Sequence, residues 1–385
     1  MPWKEMDAVS LRREFVELAG MEGSNVRELC RRFRISRKTG YKWLDRFKAD
    51  DPAFGLADRS RRPYSSPSKV SERLEERILQ VRKEHPAWGG RKIRWCLEVL
   101  GELQLPSPST ITAVLRRHGQ LSFEEGLKHK AWNRFEQERP NDLWQMDFKG
   151  HFALTRGRCH PLTVLDDHSR FSLGIEACAN EQGQTVQIRL TEIFRRYGLP
   201  SRILADNGSP WGAAGGDGHT PLTLWLMRLG IKVAHGRPHH PQTQGKEERF
   251  HRTLKAEVIR FGQLKDLEDS QRRFQAWRQV YNWERPHEAL GMKVPGSRFK
   301  MSSRSFPEVL PPIEYGPNDV VRMVQDGGLV SFKGHNRRIG KALKGYPVAI
   351  RPTPVEGKFE VFFCQSQVAV IDLRDESVTH VPEHL

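Results

Sequence analysis

Three acidic positions fall where a chain gains little from a bare carboxylate: Asp147 in WQMDFKG, Asp206 in ILADNGS, and Glu248 in QGKEERFHRTLK. An aspartate among the apolar neighbours of a strand is costly unless something positive compensates it. Hard cations such as Mg²⁺ take oxygen ligands, and two such ions about 4 Å apart can carry phosphoryl transfer, one activating the attacking oxygen and the other stabilising the leaving oxygen. The ligands must then come from rigid elements that converge, as strand ends in a sheet do. Asp147 lies inside a predicted strand. Asp206 ends a short apolar strand and is followed by Asn207 and Gly208, a turn at the strand's carboxyl end. Glu248 lies in the first turns of a predicted helix, and Gln244, His251, Arg252 and Lys255 stand three, four or seven residues from it, on one face. The basic members of that stripe would hold a phosphate backbone beside the metals.

Other residues compete for these roles. Glu247 adjoins Glu248 but points about 100° away on a helix. Asp166 and Asp167, paired in LDDHSR, read as turn formers whose side chains bond nearby amides, with an auxiliary place beside the metals as the alternative. His235, His239, His240 and His251 crowd one region, yet no H-E-x-x-H pattern or cysteine partner accompanies them, which disfavours zinc. The five cysteines are scattered without a C-x-x-C pair and read as reduced thiols. Trp144, Trp211 and Trp225 read as core. Arg285 and His287, after the helix that Pro286 ends, are further polar candidates near DNA.

The elements that must position these groups follow from periodicity and capping. Residues 7 to 48 read as three short helices, with Asn25 and Glu28 at capping-box spacing and Ser36 as the cap of the third. The last two form a helix-turn-helix whose final helix presents Arg37, Lys38, Thr39, Tyr41 and Lys42 near its start, the end that meets base edges in the major groove. Between Arg31 and Lys48 eight basic residues face one acidic residue. The Pro-, Ser- and Arg-rich stretch 51–68 is a linker in which Arg59, Arg61 and Arg62 suit a minor groove. Residues 69–120 carry a second helix-turn-helix-like domain, its last helix capped by Ser109 or Thr110, and residues 121–140 a charged helical connector. From 141 to 305 strand-like runs give way to alternating helices and strands, the pattern of a mixed sheet flanked by helices. Short strands separated by Gly, Asn and Pro over 306–385 predict a small β-barrel, with Lys333, Arg337, Arg338, Lys341 and Lys344 as backbone-holding cations.

The net charge of +16 and pI near 9.8 favour polyanionic partners. No apolar run approaches the roughly 20 residues that span a bilayer, and the first residues lack a signal peptide's apolar stretch. A cytoplasmic, nucleoid-associated protein is expected, with double-stranded DNA and no membrane as its partner.

In order along the chain, WQMDFKG, LTVLDDHSR, ILADNGSPWG, HHPQTQGKEERFHRTLK and VYNWERPHEALGMKVP resemble the successive blocks of the retroviral-integrase superfamily, specifically bacterial insertion-sequence transposases. The resemblance runs from about residue 10 to 380. It implies an RNase-H-like core between the all-α N-terminal region and the all-β C-terminal domain. It further implies two-metal Mg²⁺ catalysis, with Mn²⁺ expected to substitute, and catalytic and metal-binding roles for Asp147, Asp206 and Glu248. The segment 241–245 is similar to the family's loop ahead of the catalytic glutamate. Forty-one residues separate Asp206 from Glu248, more than in the common form of the motif, and the Gly-rich stretch 212–220 can hold the surplus. The activity implied is binding of terminal inverted repeats, 3′-end cleavage and strand transfer to target DNA by a homodimer or larger assembly. A DNA-binding regulator with an inactive core is the alternative.

Overall fold

The computed structural model describes residues 7–49, 56–58, 69–121, 136–212, 218–235, 245–374, 378–380 and 383–384. Arg59, Arg61, Arg62, Gln244, His239, His240, most of the 121–140 connector and the centre of the Gly-rich stretch lie outside the described residues. The chain divides into two units, Met1–Lys69 and Val70–Leu385. Among the described residues no helix is long and apolar enough to cross a membrane.

The first unit holds α1 (Ala8–Ala19), α2 (Val26–Arg32) and α3 (Arg37–Ala49). Their starts follow from side chains that satisfy the exposed first amides. Asp7 accepts from Val9 N and Ser10 N at 2.8 Å, Asn25 from Arg27 N and Glu28 N, and Ser36 from Thr39 N at 3.1 Å. Phe15, Val16, Cys30, Trp43 and Leu56 form the core. Gly40 lets α3 close on it: a Cβ there would lie 2.6 Å from Cys30 Sγ and 2.9 Å from the Phe15 ring.

The second unit begins with α4 (Glu72–Glu84), α5 (Gly90–Val99) and α6 (Pro108–Arg117), packed through Ile78, Trp88, Ile93, Leu97, Ile111 and Leu115. The cap of α6 is Ser107, whose hydroxyl takes Thr110 N at 3.2 Å, and not Ser109 or Thr110. Pro108 explains the shift, since a proline without an N–H suits the first helical position.

The central sheet is built from β1 (Leu143–Phe148), β2 (Phe152–Ala153), β3 (Arg158–Asp166), β4 (Ser172–Cys178), β5 (Arg202–Ala205) and β6 (Lys232–His235), with α7 (Gly183–Tyr197) after β4 and α8 (Pro221–Arg228) before β6. Across the sheet the order is β6-β5-β1-β3-β4, β2 adding to β3. β1 pairs antiparallel with β3 and β3 with β4, whereas β1, β5 and β6 run parallel. β1, β4, β5 and β6 therefore share one direction and bring their carboxyl ends to one edge. Strand residues alternate between faces. Met146, Leu162 and Val164 pack on the α7–α8 side with Phe194, Trp211 and Trp225, and Leu165 and Ile175 pack on the other. That second side is covered by α9 (Gly245–Leu254), which continues as a π-helical turn over Lys255–Ile259, and by α10 (Leu267–Trp283), through Phe250, Leu254, Phe274 and Trp277.

The segment after α10 ties distant loops of the core together. Asn141 Nδ2 donates to Lys300 O at 2.8 Å, and the Arg304 guanidinium donates to Pro200 O, Leu229 O and Gly230 O at 2.7, 2.8 and 3.0 Å.

The C-terminal domain contains β7 (Val320–Met323), β8 (Leu329–Phe332), β9 (His335–Arg338), β10 (Pro347–Pro352), β11 (Lys358–Phe363), β12 (Ser366–Asp372) and β13 (Val378–His380). A five-stranded antiparallel sheet, β13-β12-β11-β10-β7, and the β8–β9 hairpin enclose a common core of Val330, Phe332, Ile339, Ile350, Val361, Phe363 and Ile371, which Leu224 and Met227 of α8 join. β14 (Glu383–His384) leaves this domain and pairs parallel with β6 at the edge of the central sheet.

Candidate active site

Trp144 of β1 pairs with Ile203 of β5, and three residues further along each parallel strand stand Asp147 and Asp206. Equal steps from a paired position bring the two carboxylates level, on neighbouring strands at the shared carboxyl edge. Burial, then the charge of Asp206, pushes the Asp147 carboxyl up to about 7. The Asp206 carboxyl is also raised, first by burial, although Gly208 N donates to its Oδ1 at 3.1 Å and His235 lies nearby. His235 Nδ1 lies 2.8 Å from the Asp206 carbonyl oxygen and holds the strand end in place.

Glu181, between β4 and α7, adds a third negative charge that raises both aspartates, and it meets His160 Nδ1 at 2.8 Å. Sequence reasoning missed it. The available signal was its place just past the end of a strand that runs in the same direction as β1, but that direction becomes visible only once the strands are paired.

The opening of α9 separates its two glutamates. Glu247 is 1% exposed, and Glu248 beside it is exposed. Burial and then the Asp147 charge hold the Glu247 carboxyl well above the usual range. Its Oε2 lies 3.0 Å from Thr163 Oγ1, and its Oε1 is buried without a hydrogen bond. His251 departs from the expected basic stripe: its Nε2 lies 2.7 Å from Thr163 Oγ1 and its Nδ1 3.9 Å from Asp147 Oδ2. Burial pulls this imidazole down to about 4, so it is neutral at ordinary pH. Arg252 and Lys255 stay exposed.

Asp166 and Asp167 are held by the protein itself. Asp166 accepts from Asn141 N, Ser169 N and Ser169 Oγ, as a turn former does. Asp167 accepts from Gln137 N at 2.8 Å and Gln145 Nε2 at 2.6 Å, and forms a buried ion pair with Lys246 of α9. Among the described residues no three His, Cys, Asp or Glu side chains converge as a metal-binding group. Burial lifts the Cys159 and Cys178 thiols to about 12 and about 11, which removes them as nucleophiles at neutral pH.

Residues 137–241 match an integrase core domain family and residues 229–295 a second one; residues 319–379 match the C-terminal domain of IS481 family transposases. A helix-turn-helix domain family matches residues 11–64 and a homeodomain-like domain family residues 39–115. An uncharacterized protein of insertion element IS136 from Agrobacterium fabrum is 33% identical over 166 residues, which cover 41% of this chain and 82% of that relative. The chain belongs to the bacterial insertion-element transposases that carry an integrase core. An uncharacterized protein of insertion element IS476 from Xanthomonas euvesicatoria is 23% identical over 258 residues, 65% of this chain and 71% of the relative. The simian T-cell lymphotropic virus intasome structure, with a bound PP2A regulatory subunit, is similar at 14% identity and a TM-score of 0.36, over 79% of this chain and 96% of the other.

The helix-turn-helix families imply a DNA partner for this transposase-family chain. Arg37, Lys38, Tyr41 and Lys42 are exposed at the start of α3, while the Thr39 hydroxyl meets Ser36 Oγ at 2.9 Å. Trp43, buried behind them, has Lys42 and Arg46 of the same helix over its ring at 4.8 and 5.1 Å, and Arg12 of α1 at 4.0 Å. Of the expected cations in the C-terminal domain, Lys333, Arg338, Lys341 and Lys344 are exposed. Arg337 instead turns inward and is 8% exposed, because alternation along β9 sends it to the core face. Arg285 and His287 are also buried, Arg285 in an ion pair with Glu257 at 3.2 Å.

Proposed function

We propose that this chain is the transposase of its own insertion element, binding the terminal inverted repeats and cutting and joining DNA at the element's 3′ ends. The observation that carries this reading is the level pair Asp147 and Asp206, whose carboxyls are driven upward by burial and, at Asp147, by the partner's charge. Two hard oxygen donors in that condition fit a divalent cation, whose charge offsets the burial that raises both and the repulsion added at Asp147. Asp147, Asp206 and Glu248 would hold Mg²⁺ or Mn²⁺, and the ions when bound supply Lewis-acid activation of the attacking oxygen and stabilisation of the leaving oxygen.

The chain's own groups do the rest. Arg252 and Lys255, exposed on the helix of Glu248, receive the DNA backbone, and α3 receives the end sequence. Arg59, Arg61, Arg62 and Gln244 extend this contact. Water attacks the scissile phosphorus and the element's 3′ oxygen leaves; the freed hydroxyl then attacks a target phosphorus and displaces the target's 3′ oxygen. No side chain forms a covalent intermediate. Joining two ends calls for two or more copies of the chain.

The test is to incubate the full chain with Mg²⁺ and duplexes carrying the ends of its element, beside the variant Asp206→Asn. Cutting and joining by the wild type only, with end binding by both, is the expected result. Binding by both with no cutting in Mg²⁺ or Mn²⁺ would instead favour a DNA-binding regulator.

A further inference from the structure

Thr163 stands directly opposite Asp147 in the β1–β3 register, and opposed residues of an antiparallel pair carry their side chains on the same face. Its Oγ1 lies 3.0 Å from the Asp147 main-chain oxygen, 3.0 Å from Glu247 Oε2 and 2.7 Å from His251 Nε2. A hydroxyl has one proton and two lone pairs, so it donates to one of these two oxygens at a time and has lone pairs left to accept from the imidazole. Asp147 belongs to β1, whereas Glu247 and His251 stand one turn apart on α9, 3.5 Å from each other. One buried oxygen thereby joins the strand of Asp147 to the helix of Glu248.

A single anchor fixes where a helix lies, but two along its length also fix its rotation. Glu247 and His251 are two such anchors, and both are turned from solvent, their side chains 2% and 13% exposed. Lys246 adds a third attachment through Asp167, just beyond the end of β3. The outward direction of Glu248 is set by these inward neighbours, because adjacent helical residues differ by about 100°.

We propose that Thr163 is a positioning residue of the phosphoryl-transfer site: through Glu247 and His251 its hydroxyl sets the rotation of α9 and holds Glu248 in register with Asp147. The inference rests on the function proposed above. Its reach follows from geometry, since a displacement of about 1 Å at a reacting centre costs on the order of 100-fold in rate.

The test compares Thr163→Val, which keeps the shape and loses the hydroxyl, with Thr163→Ser, which keeps the hydroxyl. In the full chain, four quantities are measured: single-turnover cutting of an end duplex, affinity for that duplex, thermal midpoint, and hydrogen exchange of α9 amides without DNA or metal. The valine variant is expected to cut about 10-fold to 100-fold more slowly. It should bind the duplex as the wild type does and lose protection in α9 but not in α7. Serine should restore both rate and protection. Wild-type cutting by the valine variant overturns the proposal. So does a parallel loss of rate and thermal midpoint in both variants, which would mark a packing defect. If the wild type binds DNA but never cuts, the proposed function fails. In that case α9 exchange still decides whether the hydroxyl holds the helix: unchanged protection in the valine variant overturns that too.

Discussion

Lys246, two residues ahead of Glu248, reaches from the first turn of α9 to the fully buried Asp167 and forms an ion pair with it. Burial pulls the ammonium down to about 8, while Asp167 acts in the opposite direction. Removing one partner strands the other's charge in the interior. Lys246→Met is therefore expected to lower the unfolding free energy by about 3 kcal/mol. Combining it with Asp167→Asn should recover a large part of that loss. Urea unfolding of the two single variants and the double variant measures the coupling, and strictly additive losses would deny it.

The raised carboxyls make a prediction about pH. Asp147 titrates at about 7 against an ordinary value of 3.8. The metal-free folded protein thus retains a proton that the unfolded chain has released. The stability linked to this group is fully present below the ordinary value and is lost as pH rises to about 7. Asp206 and Glu247 shift in the same direction. In EDTA, Asp147→Asn should melt above the wild type at pH 8 and lose less stability between pH 5 and 8. Equal pH slopes in thermal melts would count against a strained acidic pair.

The two adjacent glutamates should separate chemistry from folding. Glu248→Gln is expected to abolish cutting with the thermal midpoint unchanged, since the side chain is exposed. Glu247→Ala empties a buried position and removes a partner of Thr163, and should cost about 2 kcal/mol. Glu247→Gln should fold as the wild type does. Cutting retained in Glu248→Gln and lost in Glu247→Gln would exchange the roles assigned to the pair.

On α3, the exposed Arg37 and Lys38 should govern binding of the element ends. Replacing either with alanine is expected to weaken binding and to reduce the slope of log affinity against log salt by about one for each phosphate left without its cation. The fold should be untouched. Fluorescence anisotropy across a salt series reads this, and an unchanged slope with unchanged affinity would place the DNA elsewhere.

Much of this was legible from local chemistry. The caps at Asn25 and Ser36, the apolar run around Asp147 and the turn after Asp206 act over a few residues, and each lies where its pattern predicts. What escaped depends on long-range pairing. Thr163 occupies an ordinary strand and meets Glu247 84 positions later. The inward turn of His251 depends on that same meeting, and the relation of Glu181 to the aspartates depends on strand order. The inward Arg337 followed from the phase of a four-residue strand, too short for alternation to declare its face.

Asn141 and Arg304 have a consequence for the order in which the protein is made. The entry to the first strand of the central sheet is latched by a carbonyl 159 residues downstream, and the loops after α7 and α8 wait for Arg304. During synthesis the helical N-terminal unit can fold as soon as it emerges, but the sheet cannot be locked until the ribosome has passed residue 304. Fragments released before that point would carry both aspartates without the bonds that bring the surrounding loops together. The helix-turn-helix unit is thus completed first in time and the setting of Asp147 and Asp206 last, so that a prematurely terminated chain would keep the former and lack the latter.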